Sequence, residues 1–455
     1  MFAISRSSNV LWLVALPIGS WLFACGSASD AGATHAGGAG GNGSGAGSAG
    51  KLQATAGASS AESGGSGSGG GGGRAGGGGA GSAGASGAVA SGAGAGGASH
   101  AGNGGSSGRG GSFEGGVAGR AGSSAGSAGS AGFYSWPGGN TVVTVDPVDT
   151  YQSDLSGLHY EPAEGAAPAV LWAVQNQPSK LYRLLWNGSA WVADASDGWS
   201  AGKSLHFPDG QGAPDAEGVT KGALGTSALY ASSERDNQVS GTSRLSVLMF
   251  DGAAAGATLT ATREWNLSAD LPKVGSNLGL EAIAWVPDAY LVSKGFIDES
   301  KQAAYDPANY GSHAAGIFFV GIEQNGMVYG FVLDHTAGSF TRVASIESGN
   351  SGVMDLSFDR DVGYLWAICD DTCQGRSNVL DVDTRVGSAT RGKFYVRRGF
   401  ERPSSMPNLN NEGFTVSSES TCQAGFKSVF YAEDGSTMGF AIRRDSIPCG
   451  PFLGN

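Results

Sequence analysis

Asp215-Ala216-Glu217-Gly218-Val219-Thr220, followed after eight residues by Leu229-Tyr230-Ala231-Ser232-Ser233-Glu234, decides the fold. The first half is a short β-type segment carrying an acid; the second is an apolar strand ending in polar groups. The pair recurs four more times. Its first halves are Asp154-Leu155-Ser156-Gly157-Leu158, Leu280-Glu281-Ala282-Ile283-Ala284, Met354-Asp355-Leu356-Ser357-Phe358 and Asn411-Glu412-Gly413-Phe414-Thr415. Its second halves are Leu171 to Asn176, Tyr290-Leu291-Val292-Ser293-Lys294, Leu365 to Asp370 and Val429 to Asp434. A third apolar run follows in several copies, as at Lys180 to Trp186, Arg244 to Phe250 and Gly439-Phe440-Ala441-Ile442-Arg443.

The anchor acids Asp154, Glu217, Glu281, Asp355 and Glu412 stand 63, 64, 74 and 57 residues apart. Such a period fits a four-stranded antiparallel blade with its loops, and blades repeated around an axis make a β-propeller. The expected fold is all-β, with five blades. Six is the alternative count, because Gly316 to Val320 and Met327 to Val332 are further strand-like runs between Glu281 and Asp355. Too little chain follows Glu412 for a whole blade, so Asn140 to Val145 is expected to supply the last blade's outer strand and close the ring. No long apolar stripe of helical period follows residue 133, which disfavours α/β alternatives.

The first strand of each blade lines the central channel, so the five anchor acids are expected to converge there. Carboxylates crowded in a narrow channel raise one another's pKa unless protons or a cation compensate. Oxygen ligands without a nearby histidine select a hard ion, which makes Asp154, Glu217, Glu281, Asp355 and Glu412 candidate Ca²⁺ ligands. The alternative is that each acid accepts backbone N–H groups and fastens neighbouring blades together. The glycines after Glu217 and Glu412 also fit a close backbone approach.

Glu234-Arg235-Asp236-Asn237 is the candidate ligand-binding pair, offering a carboxylate and a guanidinium at a strand end; an exposed ion pair in a loop is the other reading. Lys294, Arg376, Arg397, Arg398 and Arg402 are spread among loops with no reason in the sequence to converge. His159, His206, His313 and His335 lack metal-ligand spacing, and no serine stands in a nucleophile-elbow context. No catalytic residue is assigned.

Four cysteines follow Cys25, and in an exported domain they suggest two disulfides. The local pairing Cys369 with Cys373 and Cys422 with Cys449 is favoured among the three possible. Cys-x3-Cys without histidine partners argues against zinc.

Residues 1–24 read as a signal peptide: Arg6 precedes an uncharged stretch broken by Pro17 and Gly19, too short to span a bilayer comfortably. Leu22-Phe23-Ala24-Cys25 resembles the bacterial lipoprotein lipobox. That resemblance implies an acylated Cys25 holding the chain to a bacterial membrane, the outer membrane or cell surface being favoured. Residues 25–132 are almost wholly Gly, Ala and Ser, a composition that buries too little apolar surface to fold. They are expected to be a disordered tether with a root-mean-square span on the order of 55 Å. Residues 133–455 then form the propeller domain. They hold 22 of the 27 Lys and Arg and 36 of the 39 Asp and Glu. So acidic a domain is a poor nucleic-acid binder and suits cations.

Asp-x-Glu-Gly-[VI]-Thr, Leu-Tyr-x-x-Ser-Glu-Arg, Asn-x-Gly-x-Glu-[AG]-[IL]-Ala and Asp-Leu-Ser-x-[LF] together resemble the esterase-like phytase propellers and the related SdiA-regulated propeller proteins. The resemblance spans most of residues 150 to 445. It implies a propeller, often calcium-containing, with phosphoester chemistry in some relatives. The leading functional expectation is a lipid-anchored surface propeller, stabilised by calcium, that binds a small-molecule or protein ligand at its channel face. A calcium-dependent phosphoesterase of phytase-like type and a non-catalytic structural surface protein are the alternatives.

Overall fold

The computed structural model describes residues 132–223 and 225–454. Their strands form five antiparallel four-stranded blades. Blade I contains Leu155–Glu161, Val170–Gln175, Lys180–Trp186 and Lys203–His206, and Thr258–Thr260 adds in parallel at its outer edge. Blade II contains Pro214–Lys221, Ala228–Asp236, Ser243–Asp251 and Arg263–Asn266. Blade III is built from Leu280–Pro287, Gly316–Ile322, Met327–Leu333 and Phe340–Glu347, and blade IV from Asp355–Asp359, Tyr364–Ile368, Ser377–Val382 and Phe394–Phe400. Blade V has Asn411–Val416, Phe426–Glu433 and Ile442–Pro448, completed by Val143–Thr144 from the other end of the chain. The first strands of successive blades touch in a closed ring, the fifth against the first. The chain is therefore a five-bladed β-propeller.

Continuous apolar runs such as Val170-Leu171-Trp172-Ala173-Val174 exist because each blade is covered on both faces. Val170, Trp172 and Val174 face blade II, whereas Leu171 and Ala173 face blade V. The same division sends Phe318 and Val320 to the interface of blades II and III, and Ile317 and Phe319 to that of III and IV. The core is thus five wedges, one between each pair of neighbouring blades.

Five rather than six blades follows from blade III, where Gly316–Ile322 and Met327–Leu333 are its own second and third strands. Tyr290 to Lys294, expected as that second strand, instead lies in the helix Asp288–Lys294. Pro287 stands immediately before the helix, Gly295 closes it at φ 65°, and only Leu291 of its residues is buried. So short an apolar run does not reveal its period. The third strand of blade V likewise starts at Ile442 and not at Gly439, because Thr437–Gly439 is a 3-10 turn ending at φ 80°. Both disulfides have the expected pairing, Cys369 with Cys373 and Cys422 with Cys449.

Around the axis the first strands approach so closely that side chains are excluded. A Cβ at Gly413 would lie 2.2 Å from the Ser156 carbonyl oxygen, and one at Gly157 would lie 2.5 Å from that of Glu217. Gly413→Ala should therefore lower stability by about 1–3 kcal/mol, the usual cost of overpacking. At Gly222 the nearest atom to a Cβ is 3.7 Å away, and Gly222→Ala should stay within about 0.5 kcal/mol of wild type. Urea midpoints measure both, and equal effects would remove the close-approach argument.

Candidate metal centre

Each first strand begins at the same end of the channel, and in four blades its pairing slips there. The register shifts lie between Leu155 and Leu158, Ala216 and Gly218, Leu280 and Ala282, and Asn411 and Gly413. A bulge leaves one residue outside the ladder and re-aims its side chain. Glu217, Glu281 and Glu412 are those residues. Another bulge, between Ser233 and Arg235, singles out Glu234 in the second strand of blade II. Asp154 precedes the first strand of blade I with φ 60°.

A second set of polar residues comes to the same end because the second strands run antiparallel to the first. It comprises Asn176, Glu234, Glu323, Asp370 and Asp434, each within two residues of the end of its strand. The carboxylates of Asp215, Glu217 and Glu234 lie within 4.8 Å of one another, and so do those of Glu234, Glu281 and Glu323. Glu234 belongs to both groups. It is 2% exposed. Its Oε1 accepts the Gly279 N–H, while its buried Oε2 has no donor partner among the described residues; a proton on Glu281 would let the carboxyls of Glu281 and Glu234 share a hydrogen bond. Asn176 Nδ2 donates to both oxygens of Glu217 at 3.1 and 3.3 Å. Arg235 pairs with Asp215 at 2.7 Å, and Asn410 Nδ2 bridges Glu412 and Asp434.

Burial is the first cause that raises every shifted acid of this cluster, and neighbouring carboxylates add to it. Glu217, crowded by Asp215 and Glu412, and Glu281, crowded by Glu217 and Glu234, are held well above the ordinary glutamate range. Glu412 is raised by burial and by Asp434. Asp215 is pushed to about 6 despite Arg235, and Glu323 to about 7 by burial, Glu234 and Asp370. Such a group stays together only with protons or a cation among its oxygens. The donor set is all oxygen, with carboxylates predominating, which fits a hard divalent ion such as Ca²⁺.

Asp355 goes elsewhere. Its Oδ2 accepts the N–H groups of Phe414 at 2.7 Å and Leu158 at 3.2 Å, and its Oδ1 accepts that of Leu356. It bolts blade IV to blades V and I, the fastening role set out as the alternative for the anchor acids. Glu234 and Arg235 are not an exposed loop pair, since Glu234 is buried and Arg235 holds Asp215. Lys294 and Arg397, which the sequence gave no reason to bring together, both meet Asp381, at 3.1 and 2.6 Å. Asp215 and Glu323 were missed as candidates from the sequence. The expected signal peptide, acylated Cys25 and tether through Ala131 lie outside the described residues.

No family model matches the chain, and no curated protein matches it in sequence. Similar solved structures include a nidogen/laminin complex, at 13% identity over 62% of this chain and 72% of that one with a TM-score of 0.29. A luciferin-regenerating enzyme is similar at 10% identity over 68% and 95%, TM-score 0.31. A glucose dehydrogenase is similar at 11% over 68% and 99%, TM-score 0.33. None of them assigns an activity to this chain.

Acids whose folded-state pKa is raised favour the fold at low pH and cease to do so as pH rises through the raised value. For Glu323 that window runs from the ordinary glutamate range to about 7. The part-buried histidines His159 and His335, whose pKa values burial lowers, act in the opposite sense across it, so a variant comparison isolates the acid. In EGTA, Glu323→Gln should melt with wild type at pH 5 and above it at pH 8. An unchanged difference at both pH values would exclude the repulsion inferred here.

Proposed function

We propose that this chain is an exported propeller, held to a membrane through acylated Cys25 and the Gly/Ala/Ser segment, whose acidic mouth holds Ca²⁺ and presents it to a ligand. The observation that carries this reading is Glu234, a buried residue that belongs to both acidic groups and has one carboxylate oxygen without a donor partner among the described residues. An ionised carboxylate buried without a partner is expensive, and a cation between the groups offsets that cost. Asp215, Glu217, Glu234, Glu281 and Glu323 are the residues that would hold it. Bound there, Ca²⁺ would supply a hard positive centre in a face that otherwise repels anions. The motif resemblance to the esterase-like phytase and SdiA-regulated propellers agrees with this reading.

One observation favours the phosphoesterase reading as second. Two acidic groups joined by a shared carboxylate match the layout of sites that hold paired ions for phosphoryl chemistry, and Arg235 adds a guanidinium beside them. On this reading Arg235 orients an anionic substrate group and Asp215 fixes its guanidinium.

Melting the full chain in EGTA and in Ca²⁺ tests the first reading. A hundredfold excess over Kd corresponds to about 2.7 kcal/mol, or a rise of several degrees. Glu234→Gln should abolish that rise, and no rise in the wild type overturns the proposal. Turnover of a phosphomonoester or phytate, lost in Glu217→Gln, would establish the second reading; a rise without turnover leaves a calcium-stabilised binding module.

A further inference from the structure

We propose that the channel end opposite the acidic mouth binds a small oxyanion, a phosphate, sulfate or carboxylate group, seated against Arg360 and His159. Where the first strands of blades I, IV and V end, they enclose a cavity of about 110 Å³ lined in part by His159, Ser357, Arg360, Thr415 and Ser417. That is far above the roughly 10–15 Å³ that admits one water.

Arg360 is held in place from two sides, neither of them a carboxylate. One terminal nitrogen donates to the Lys221 carbonyl oxygen at 2.6 Å, and the guanidinium lies 4.7 Å from the Trp285 ring centre. No carboxylate among the described residues forms an ion pair with it, and burial pulls its pKa down to about 10. His159 is pushed far below the usual histidine range by burial, then by Arg360 and Lys221, with no hydrogen bond opposing the shift.

The nearby acids are engaged elsewhere. Asp359 forms a fully buried pair with Lys427 at 2.7 Å, and Asp361 accepts the Glu419 N–H at 2.7 Å. Glu161 is taken by Lys221 and by Trp172 Nε1. A partly buried guanidinium with no carboxylate in contact, next to an imidazole that makes no hydrogen bond among the described residues, is thus only partly compensated, by the more distant charges of Glu161 and Asp361. An oxyanion would complete the compensation, with charge-assisted bonds to Arg360 and a hydroxyl donor from Thr415, since Ser357 is directed at Thr415 and Ser417 donates to Thr421. The site is independent of the calcium reading, since it shares no residue with the acidic mouth.

Calorimetric titration of the full chain with inorganic phosphate tests it, run at low ionic strength with EGTA so that no cation at the acidic mouth can capture the anion. Saturable one-to-one binding is expected, weakened about tenfold or more in Arg360→Gln and less in Thr415→Ala. Sulfate and acetate arms separate a tetrahedral oxyanion from a carboxylate as the preferred occupant. If Arg360→Gln fails to fold, phosphate should still protect Arg360 of the wild type from phenylglyoxal, read by peptide mass mapping. No saturable binding of any of the three anions, undiminished binding in a folded Arg360→Gln, or no protection of Arg360 would each overturn the proposal.

Discussion

Backbone-to-backbone contact of the first strands around the axis is the constraint on which the rest depends. Five twisted sheets leave no room for side chains where Ser156-Gly157, Glu217-Gly218 and Glu412-Gly413 cross. Glycine solves the steric problem by removing Cβ, and the bulge beside it disposes of the residue that no longer fits the ladder. That displaced residue is a glutamate in blades II, III and V. The same local irregularity that lets the ring close therefore aims its acids at one mouth.

The electrostatic consequence is steep because the carboxylates of the mouth are buried as well as crowded. In water, carboxylates a few ångströms apart repel weakly; in a site of low dielectric the same spacing forces protonation or counter-ion capture. Arg235 is committed to Asp215, and the asparagines Asn176 and Asn410 contribute amide N–H groups with no charge. The two amides orient Glu217, Glu412 and Asp434 without neutralising them. A purely structural cluster would be better served by Asp355's arrangement, in which three backbone N–H groups satisfy one carboxylate.

The repeat was legible because the anchor acid recurs beside a strand-start pattern at a near-constant interval, and that alone locates the first strands of all five blades. The strand ends were legible in four blades as the polar residues Asn176, Glu234, Asp370 and Asp434. In blade III the pattern was followed to Lys294, because Tyr290-Leu291-Val292 imitates a strand, and Glu323 was lost with it. The bulges were not readable at all: they break the alternation that would have announced them. Nor could the sequence tell Asp355 from the other anchors, since its difference lies in which N–H groups reach it from blades I and V.

Blade IV makes the mouth lopsided, and this bears on where a ligand sits. Its first strand carries no bulge, its anchor Asp355 is turned to backbone, and Asp370 caps the short turn Asp371–Cys373 beside the Cys369–Cys373 disulfide. The two tight acidic groups both contain Glu234 and draw their other members from blades II and III. Positive charge held there would be displaced from the axis towards those two blades. A ligand that sought it would contact the loops of blades II and III first, on the side where Arg235 pairs with Asp215.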